Sequence, residues 1–414
     1  MEEYKPMYIP AWLKIGKTIG SIWSALTGAT RENRVFVLAP GSLGDMLLFY
    51  GVLNLMLRDS PQKKFVVAVP DTALAVLPPD VDEKFPNLNV VVLPFSLRAS
   101  TSIYARVRRV ISAVRIFRWK YQIVLNPFFA CGMLSHLWCA LADAKEKLWF
   151  ENGITQEEDG RYDGIYTELV RRDPDMHEIA SMIRIACEAG LASDASVEDC
   201  VPDIALTENE RKKAEMVIQK CRKQMGRDAL LVALCAGARF KLKNWGEKNF
   251  ARLVEQMATK IPEQKICILM LGGQEDIEAF EMIAGEIGDL EGRVLCLNLA
   301  GKLTPREAIA VIKLCDVCAG NDTFGLHSAV VVDTPSVVVM WGGDFPWWVP
   351  WRNTELHRMV YHRMDCFGCH GKCAYADPEC VKQISVEAVA DEILKVLQMR
   401  KNELKSKVMM EENV

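Results

Sequence analysis

The stretch AGNDTFGLH, residues 319–327, follows an apolar β-type run and puts Asn, Asp and Thr where a strand would turn into a helix. Asp322 or Thr323 is suited to cap the helix that begins at FGLHSAVVV, leaving first-turn amides to bind an anion. Gly325 would let a ligand approach, and His327, one turn in, could donate to a phosphate oxygen. A carboxylate beside a diphosphate is repulsive, so Asp322 is expected to cap or to hold a hydroxyl. The same residues also describe an ordinary capped helix with a core histidine.

A second turn, CAGARFKLKNWGEKNF, leaves the run ALLVAL through small residues and offers Arg239, Lys241 and Lys243 ahead of a helix. Small residues followed by positive charge suit a diphosphate clamp, with Trp245 packing to fix the loop; a solvated basic loop is the alternative. A third run ends in LMLGGQEDIEAF, where Gly272 and Gly273 bring the backbone close and Gln274 or Glu275 can bond ribose hydroxyls. The stretch LAPGSLGDMLLFYGVLNLML sets Asp45 behind two glycines at another strand-to-helix turn. Its G-x-x-G-D spacing lacks the third glycine of a dinucleotide fingerprint. Asp45 is there either to accept a proton from a nucleophilic hydroxyl or to cap the helix.

Cys366, Cys369, Cys373 and Cys380 form C-x2-C-x3-C-x6-C. Four thiols so close point to a metal, zinc first and iron second, with free thiols or an occasional disulfide as the alternative. Thiolates in all four positions would make the ion structural, so no catalytic metal is expected. The other ten of the 14 cysteines sit singly in apolar contexts such as LLVALCAG, as small buried hydrophobes do. No secretory signal is read, and a reducing cytoplasm is expected.

Two basic stretches suggest surfaces. In IPAWLKIGKTIGSIWSAL, residues Trp12, Ile15, Ile19, Ile22, Trp23 and Leu26 fall on one helical face, with Pro10 in the first turn and no acid from Tyr4 to Ala29. Such a helix suits an anionic membrane surface, or docks on the body of the protein or a partner subunit. Residues 98–120 carry seven basic residues and no acidic one, which suits a phosphorylated glycolipid, a membrane surface or an acidic protein, or a solvated face balanced elsewhere. No run reaches the roughly 18 to 20 apolar residues of a membrane-spanning helix.

These turns need a rigid frame. The runs RVFVLAP, KKFVVAVP, NVVVLPF and YQIVLNP alternate with helical segments, and so do ALLVALCAG, KICILMLGG, RVLCLNLAG, VCAGND and PSVVVMWGG. Continuous apolar strands between helices indicate parallel sheets covered on both faces. The expectation is α/β: two doubly wound Rossmann-like domains, 34–203 and 204–385. An amphipathic segment, 1–33, precedes them, and a C-terminal helix and tail, 386–414, is expected to pack back on the first domain. Open parallel sheets bind ligands at the carboxyl ends of their strands, where every turn above lies. A net charge of −4 over 414 residues argues against bulk binding to nucleic acid.

The pieces GSLGDML, GARFKLKNW, LGGQED, NLAGKLTPREAIAVIKLCDVCAGNDTFGLHSA and DTPSVVVMWGGDFP, in this order, resemble glycosyltransferase family nine, the heptosyltransferases of lipopolysaccharide core assembly. The resemblance covers about residues 34–396 and implies the GT-B fold, with donor nucleotide in the C-terminal domain facing an acceptor held mainly by the N-terminal one. It implies Asp45 as general base and Lys243 on the donor diphosphate, framed by Asp322, Thr323, Phe324, Gly325 and His327. Gln274 stands where the family usually has a ribose-binding acid, with Glu275 beside it, and Phe324 is bulkier than the usual residue. Asn126 in IVLNPFF stands where many members have Asp followed by Gln-Gly. The implied activity is inverting transfer of a sugar, foremost heptose from ADP-heptose, to a lipopolysaccharide-type or related glycan. A protein (autotransporter) acceptor and a nucleotide-sugar epimerase of the same fold stay open. Expected partners are the nucleotide-diphospho-sugar and a glycolipid or protein acceptor, without nucleic acid. A homo-oligomer is left open, and a cytoplasmic enzyme touching the inner membrane peripherally is expected. A dehydrogenase would need the missing glycine fingerprint, and a non-enzymatic scaffold would bind no nucleotide.

Overall fold

The computed structural model describes residues 33–93, 116, 119–129, 131–151, 162–173, 175–288, 290–349, 351–375 and 377–411, the last with side chains to 403. The helix expected over residues 10–26 lies outside the described residues, as does the basic stretch 98–120 apart from Ile116, Trp119 and Lys120. The chain divides after Pro202 into two compact units.

The first unit is a parallel six-stranded sheet in the order β3-β2-β1-β4-β5-β6. Its strands are β1 (Arg34–Leu38), β2 (Lys64–Val69), β3 (Leu88–Val92), β4 (Lys120–Leu125), β5 (Asp143–Phe150) and β6 (Glu168–Val170). In β1 the sequence RVFVL is buried from Val35 onward, as expected of a central strand covered on both faces. Helix α1 (Leu43–Asp59) is buried through Met46–Leu48 and on through Met56, the pattern of a core helix rather than a surface one. A side chain at Gly51 would overlap the Cys200 carbonyl, so this glycine lets the chain near residue 200 cross the helix. Helices α2 (Met133–Leu141) and α3 (Glu178–Glu188) complete the elements used below.

The second unit repeats the plan in the order β12-β11-β10-β7-β8-β9. The strands are β7 (Leu230–Cys235), β8 (Ile266–Met270), β9 (Val294–Asn298), β10 (Val317–Asn321), β11 (Ser336–Val339) and β12 (His357–Val360), all paired in parallel. Its helices are α4 (Glu208–Met225), α5 (Glu247–Lys260), α6 (Ile277–Glu286), α7 (Pro305–Lys313), α8 (Phe324–Val331) and α9 (Val386–Glu411). Thr207 and Thr304 cap α4 and α7 through Glu210 and Glu307, and Pro305 opens α7 at a position where no amide is needed.

Trp245, Phe250, Phe280 and Trp341 anchor one core, and Val389, Ala390, Ile393 and Val396 of α9 belong to it. The face of α9 expected to return to the first domain is therefore buried in the second, because its Val and Ile residues recur at helical spacing against α5 and the β11–β12 edge. Among the described residues no helix is long and apolar enough to cross a membrane.

In both sheets the strand order reverses beside the first strand of the unit, between β1 and β4 and between β7 and β10. A crevice opens outside the strand ends at such a reversal, and ligands of doubly wound folds bind there.

Candidate functional site: the turns after β7 and β10

Strands β7 and β10 pair so that Cys235 lies opposite Gly320, which sets their two exit turns side by side. Lys243 sits in a short 3-10 turn, Lys241–Lys243, after β7. Its Nζ lies 2.7 Å from Asp322 Oδ2 and 5.4 Å from the centre of the Trp341 ring. The Asp322 side chain is 1% exposed and that of Lys243 18%, so the lysine tip is the open member of the pair. Burial pushes the Asp322 carboxyl up, but Lys243 and His327 outweigh it and hold the group below its usual range. His327 is buried one turn into α8.

Asn321 locks the two turns together. Its Nδ2 donates to the Ala236 carbonyl at 2.6 Å and its Oδ1 accepts from the Trp245 amide at 3.2 Å. Trp245 is fully buried on Phe250 and donates through Nε1 to the Ile384 carbonyl at 3.0 Å, so it does fix the loop.

One expectation is corrected at α8, and Gly325 gains a packing role. Neither Asp322 nor Thr323 caps the helix through its side chain: Asp322 is held by Lys243, and Thr323 Oγ1 donates to the Asn321 carbonyl at 3.4 Å. The first-turn amides thus have no side-chain cap among the described residues, which suits an anion better than a capped helix would. Gly325 answers to packing: a side chain there would overlap Cys235 Sγ, so the glycine lets α8 close on the end of β7. Phe324 is half-buried beside it, and Arg239 is exposed in the β7 turn.

After β8, Gln274 and Glu275 are exposed on a 3-10 turn. Asp276 turns inward instead, accepting from the Gly273 amide at 2.8 Å and filling the space beside Gly237 and Gly272. Burial raises its carboxyl, with the Gly273 amide opposing. Asp276 and Asn321 were not singled out from sequence; the glycines that make room for Asp276 were the available signal.

In the first unit Asp45 is the third residue of α1, half-buried, and its Oδ2 accepts from the Ser42 amide at 2.6 Å. A side chain at Gly41 would come within 2.5 Å of Asp45 Cβ and 3.0 Å of Phe128, so the glycine is what admits the aspartate. The N-cap is therefore Ser42 and not Asp45, which instead reaches back from the third helical position to the Ser42 amide. Nearby, Glu178 is buried, bonded to the Phe129 amide at 3.1 Å and paired with Arg172 at 3.3 Å. Burial pushes it up to about 7 against the pull of Arg172, and the Asp45 charge adds to the rise. Asn126, at the end of β4, is fully buried and donates to Cys131 Sγ at 3.2 Å and Tyr166 at 3.5 Å, while its Oδ1 has no partner among the described residues.

Cys366, Cys369, Cys373 and Cys380 line one small cavity with Gly342, Gly343 and Phe367. Its ≈ 10 Å³ is the room of about one water-sized sphere. Burial raises the thiols of Cys369 and Cys380, and the neighbouring cysteines raise them further. As the side chains stand, no group of three or more His, Cys, Asp or Glu among the described residues is arranged to hold a metal ion. The donor set suits a soft metal, and the geometry stops short of a closed site.

Comparison with known proteins follows the same lines. A family model described as glycosyltransferase family 9 (heptosyltransferase) matches residues 156–363. Lipooligosaccharide heptosyltransferase 2 of Haemophilus influenzae is 30% identical over 121 residues, 29% of this chain and 33% of that protein. Lipopolysaccharide heptosyltransferase 2 of Escherichia coli K12 is 26% identical over 121 residues, with the same coverage of 29% and 33%. The chain thus matches about a third of the length of these curated relatives. The structure of E. coli ADP-heptose lipopolysaccharide heptosyltransferase II superposes with a TM-score of 0.61 at 19% identity, over 89% of this chain and 99% of that one. A family 9 glycosyltransferase from Veillonella parvula gives 0.64 at 18% identity, over 88% and 97%.

Proposed function

The chain belongs to glycosyltransferase family 9, and from that premise we propose that it transfers a sugar, foremost heptose from ADP-heptose, with inversion onto a lipopolysaccharide-type or related glycan. The observation that carries this reading is the meeting of Lys243, Asp322, His327 and the side-chain-uncapped start of α8 at the reversal of the second sheet. One partly exposed cation and a row of amides can hold a diphosphate, and preorganised donors aimed at developing charge are usually the largest contribution to such catalysis.

In this mechanism the donor diphosphate takes Lys243 from Asp322. Asp322 then accepts a sugar hydroxyl, which avoids the repulsion a carboxylate would meet at phosphate. Arg239, Thr323, Phe324, Gly325 and His327 frame the nucleotide-sugar, and Gln274 or Glu275 meets the ribose. The acceptor oxygen forms its bond to the anomeric carbon as the bond to the diphosphate breaks on the opposite face. The nucleotide leaves with the electron pair, stabilised by Lys243, and Asp45 takes the acceptor's proton. No catalytic metal takes part.

The four cysteines would hold a structural zinc or iron, after a local closure of the loop around the cavity they line; the metal would supply rigidity there. A protein acceptor is the second reading, because the family resemblance places such a cysteine-rich loop foremost in members that modify autotransporter proteins. We place the enzyme in the cytoplasm, touching the inner membrane peripherally, with self-association as a further property.

The test is calorimetry with ADP, UDP and GDP, followed by incubation with ADP-heptose. Tightest binding of ADP and acceptor-dependent release of ADP support the proposal. Conversion of ADP-heptose without any acceptor would instead establish an epimerase, and absence of nucleotide binding would leave a scaffold.

A further inference from the structure

The exit of β11 was not among the turns singled out from sequence, yet it reaches the Lys243 pair. After Val339 the chain runs Met340-Trp341-Gly342-Gly343-Asp344. Trp341 is 1% exposed, lies beneath Lys243, and meets Phe240 edge-on at 5.2 Å. A side chain at Gly343 would overlap the Trp341 ring, and one at Gly342 would overlap Phe367. Two glycines therefore let the chain fold back over its own tryptophan, with the cysteine loop against its other side. Burial raises the Asp344 carboxyl above its usual range; Lys243 favours its charge and Asp322 opposes it.

The cysteine loop holds the glycine turn that leads to this acid and sets His370 at ion-pair distance from it. The Gly368 amide donates to the Gly342 carbonyl at 2.9 Å and the His370 amide to the Gly343 carbonyl at 3.1 Å. His370 Nδ1 stands 3.6 Å from Asp344 Oδ1, and the imidazole stacks on Trp347 at 4.3 Å. The Asp344 side chain is 24% exposed, so it is not sealed from solvent.

We propose that Asp344 is a sugar-reading residue of the donor site and that His370, from the cysteine loop, is its positioning residue; this rests on the donor-site reading above. An ionised carboxylate only accepts hydrogen bonds, and a diphosphate offers none. With Lys243 drawn to the phosphates, Asp322 and Asp344, which both act on Lys243, are left as two acceptors beside it. A polyol, the hydroxyl-rich part of a nucleotide-sugar, satisfies both, and a bare nucleotide does not reach them. Asp344 therefore separates the sugar-bearing donor from its nucleotide product.

The test is calorimetry on the full-length protein with ADP and with ADP-heptose, comparing wild type, Asp344→Asn, His370→Ala and His370→Gln, with thermal unfolding as a check on folding. The quantity of interest is the Kd for ADP-heptose divided by that for ADP. We expect it to rise about tenfold in Asp344→Asn and about threefold or more in His370→Ala, with recovery in His370→Gln. Equal weakening of both ligands, or a ratio unchanged in Asp344→Asn, overturns the inference while leaving the donor site intact. If Asp344→Asn does not fold, the His370 pair decides by the same ratio. A wild type that binds neither ligand overturns the donor-site reading and this inference with it.

Discussion

In the proposed mechanism Lys243 cannot serve Asp322 and a diphosphate in full at once, and this competition would have two measurable sides. Lys243→Ala should weaken ADP binding by about tenfold or more, read by calorimetry, because a desolvated charge-assisted contact is lost. It should also lower stability by about 3–5 kcal/mol, because Asp322 is left as a buried charge with its cation gone. Lys243→Ala with Asp322→Asn should recover most of that stability and none of the affinity; a double variant as unstable as the single one would refute the pairing argument. In the other unit, Asp45→Asn keeps an acceptor for the Ser42 amide, so the start of α1 should persist. Turnover should fall about 10²- to 10⁴-fold with ADP affinity unchanged, and near-normal turnover would remove Asp45 from the mechanism. At this scale the sequence pointed to Lys243, Asp322, His327 and Asp45, since charged residues after apolar strands are conspicuous. It did not point to Asn321, Asp276 or Asp344. Asn321 acts on the Trp245 amide 76 residues away, and no local pattern encodes such a partner.

Among the elements, the apolar runs disclosed the strands directly because a parallel sheet is covered on both faces. What they could not disclose was how the ends are used. The cap assigned to Asp322 or Thr323 is what local rules favour, but a buried carboxylate gains more from a lysine than from a helix amide, and the lysine lies 79 residues earlier. The packing demand on Gly325 was equally hidden, since Cys235 lies on a strand far earlier in the chain. Gly325→Ala should accordingly destabilise by about 1–3 kcal/mol, the usual cost of overpacking. Combining it with Cys235→Ala should return part of that loss. A double-mutant cycle on unfolding free energies measures the coupling, and strict additivity would show that the two residues do not press on each other.

At the scale of the whole molecule, two buried histidines are held neutral by burial, His136 in the first unit and His357 in the second, with different company. His357 in the second is held down to about 4 by burial, with Arg352 and Arg400 opposing its charge and Asp333 favouring it. His136 in the first is held at about 3 by burial alone. A histidine whose folded value is depressed contributes stability that is present above the unfolded value and lost as pH falls toward the folded one. Glu178, raised to about 7, acts oppositely in the first unit: its proton stabilises the folded form as pH drops. Between pH 6.5 and 5 the second unit should therefore weaken, by roughly 1 kcal/mol per pH unit, while the first stays nearly level. Hydrogen exchange of β7 and β1 amides across that range reads the two units separately. His357→Gln should flatten the response of the second, and equal weakening of both units in the wild type would contradict the assignment. The two-unit plan was legible from the alternation of strands and helices. The use of α9 was not, because a helix advertises an apolar face without naming the surface that receives it.

The bond from the Trp245 indole to the Ile384 carbonyl has a practical corollary. The entry to α9 and the loop that carries Lys243 are tied together, so a truncation or insertion that disturbs the approach to α9 should be felt at Lys243. Constructive engineering of this molecule begins beyond residue 400, where the described side chains of α9 turn outward or run along the helix surface.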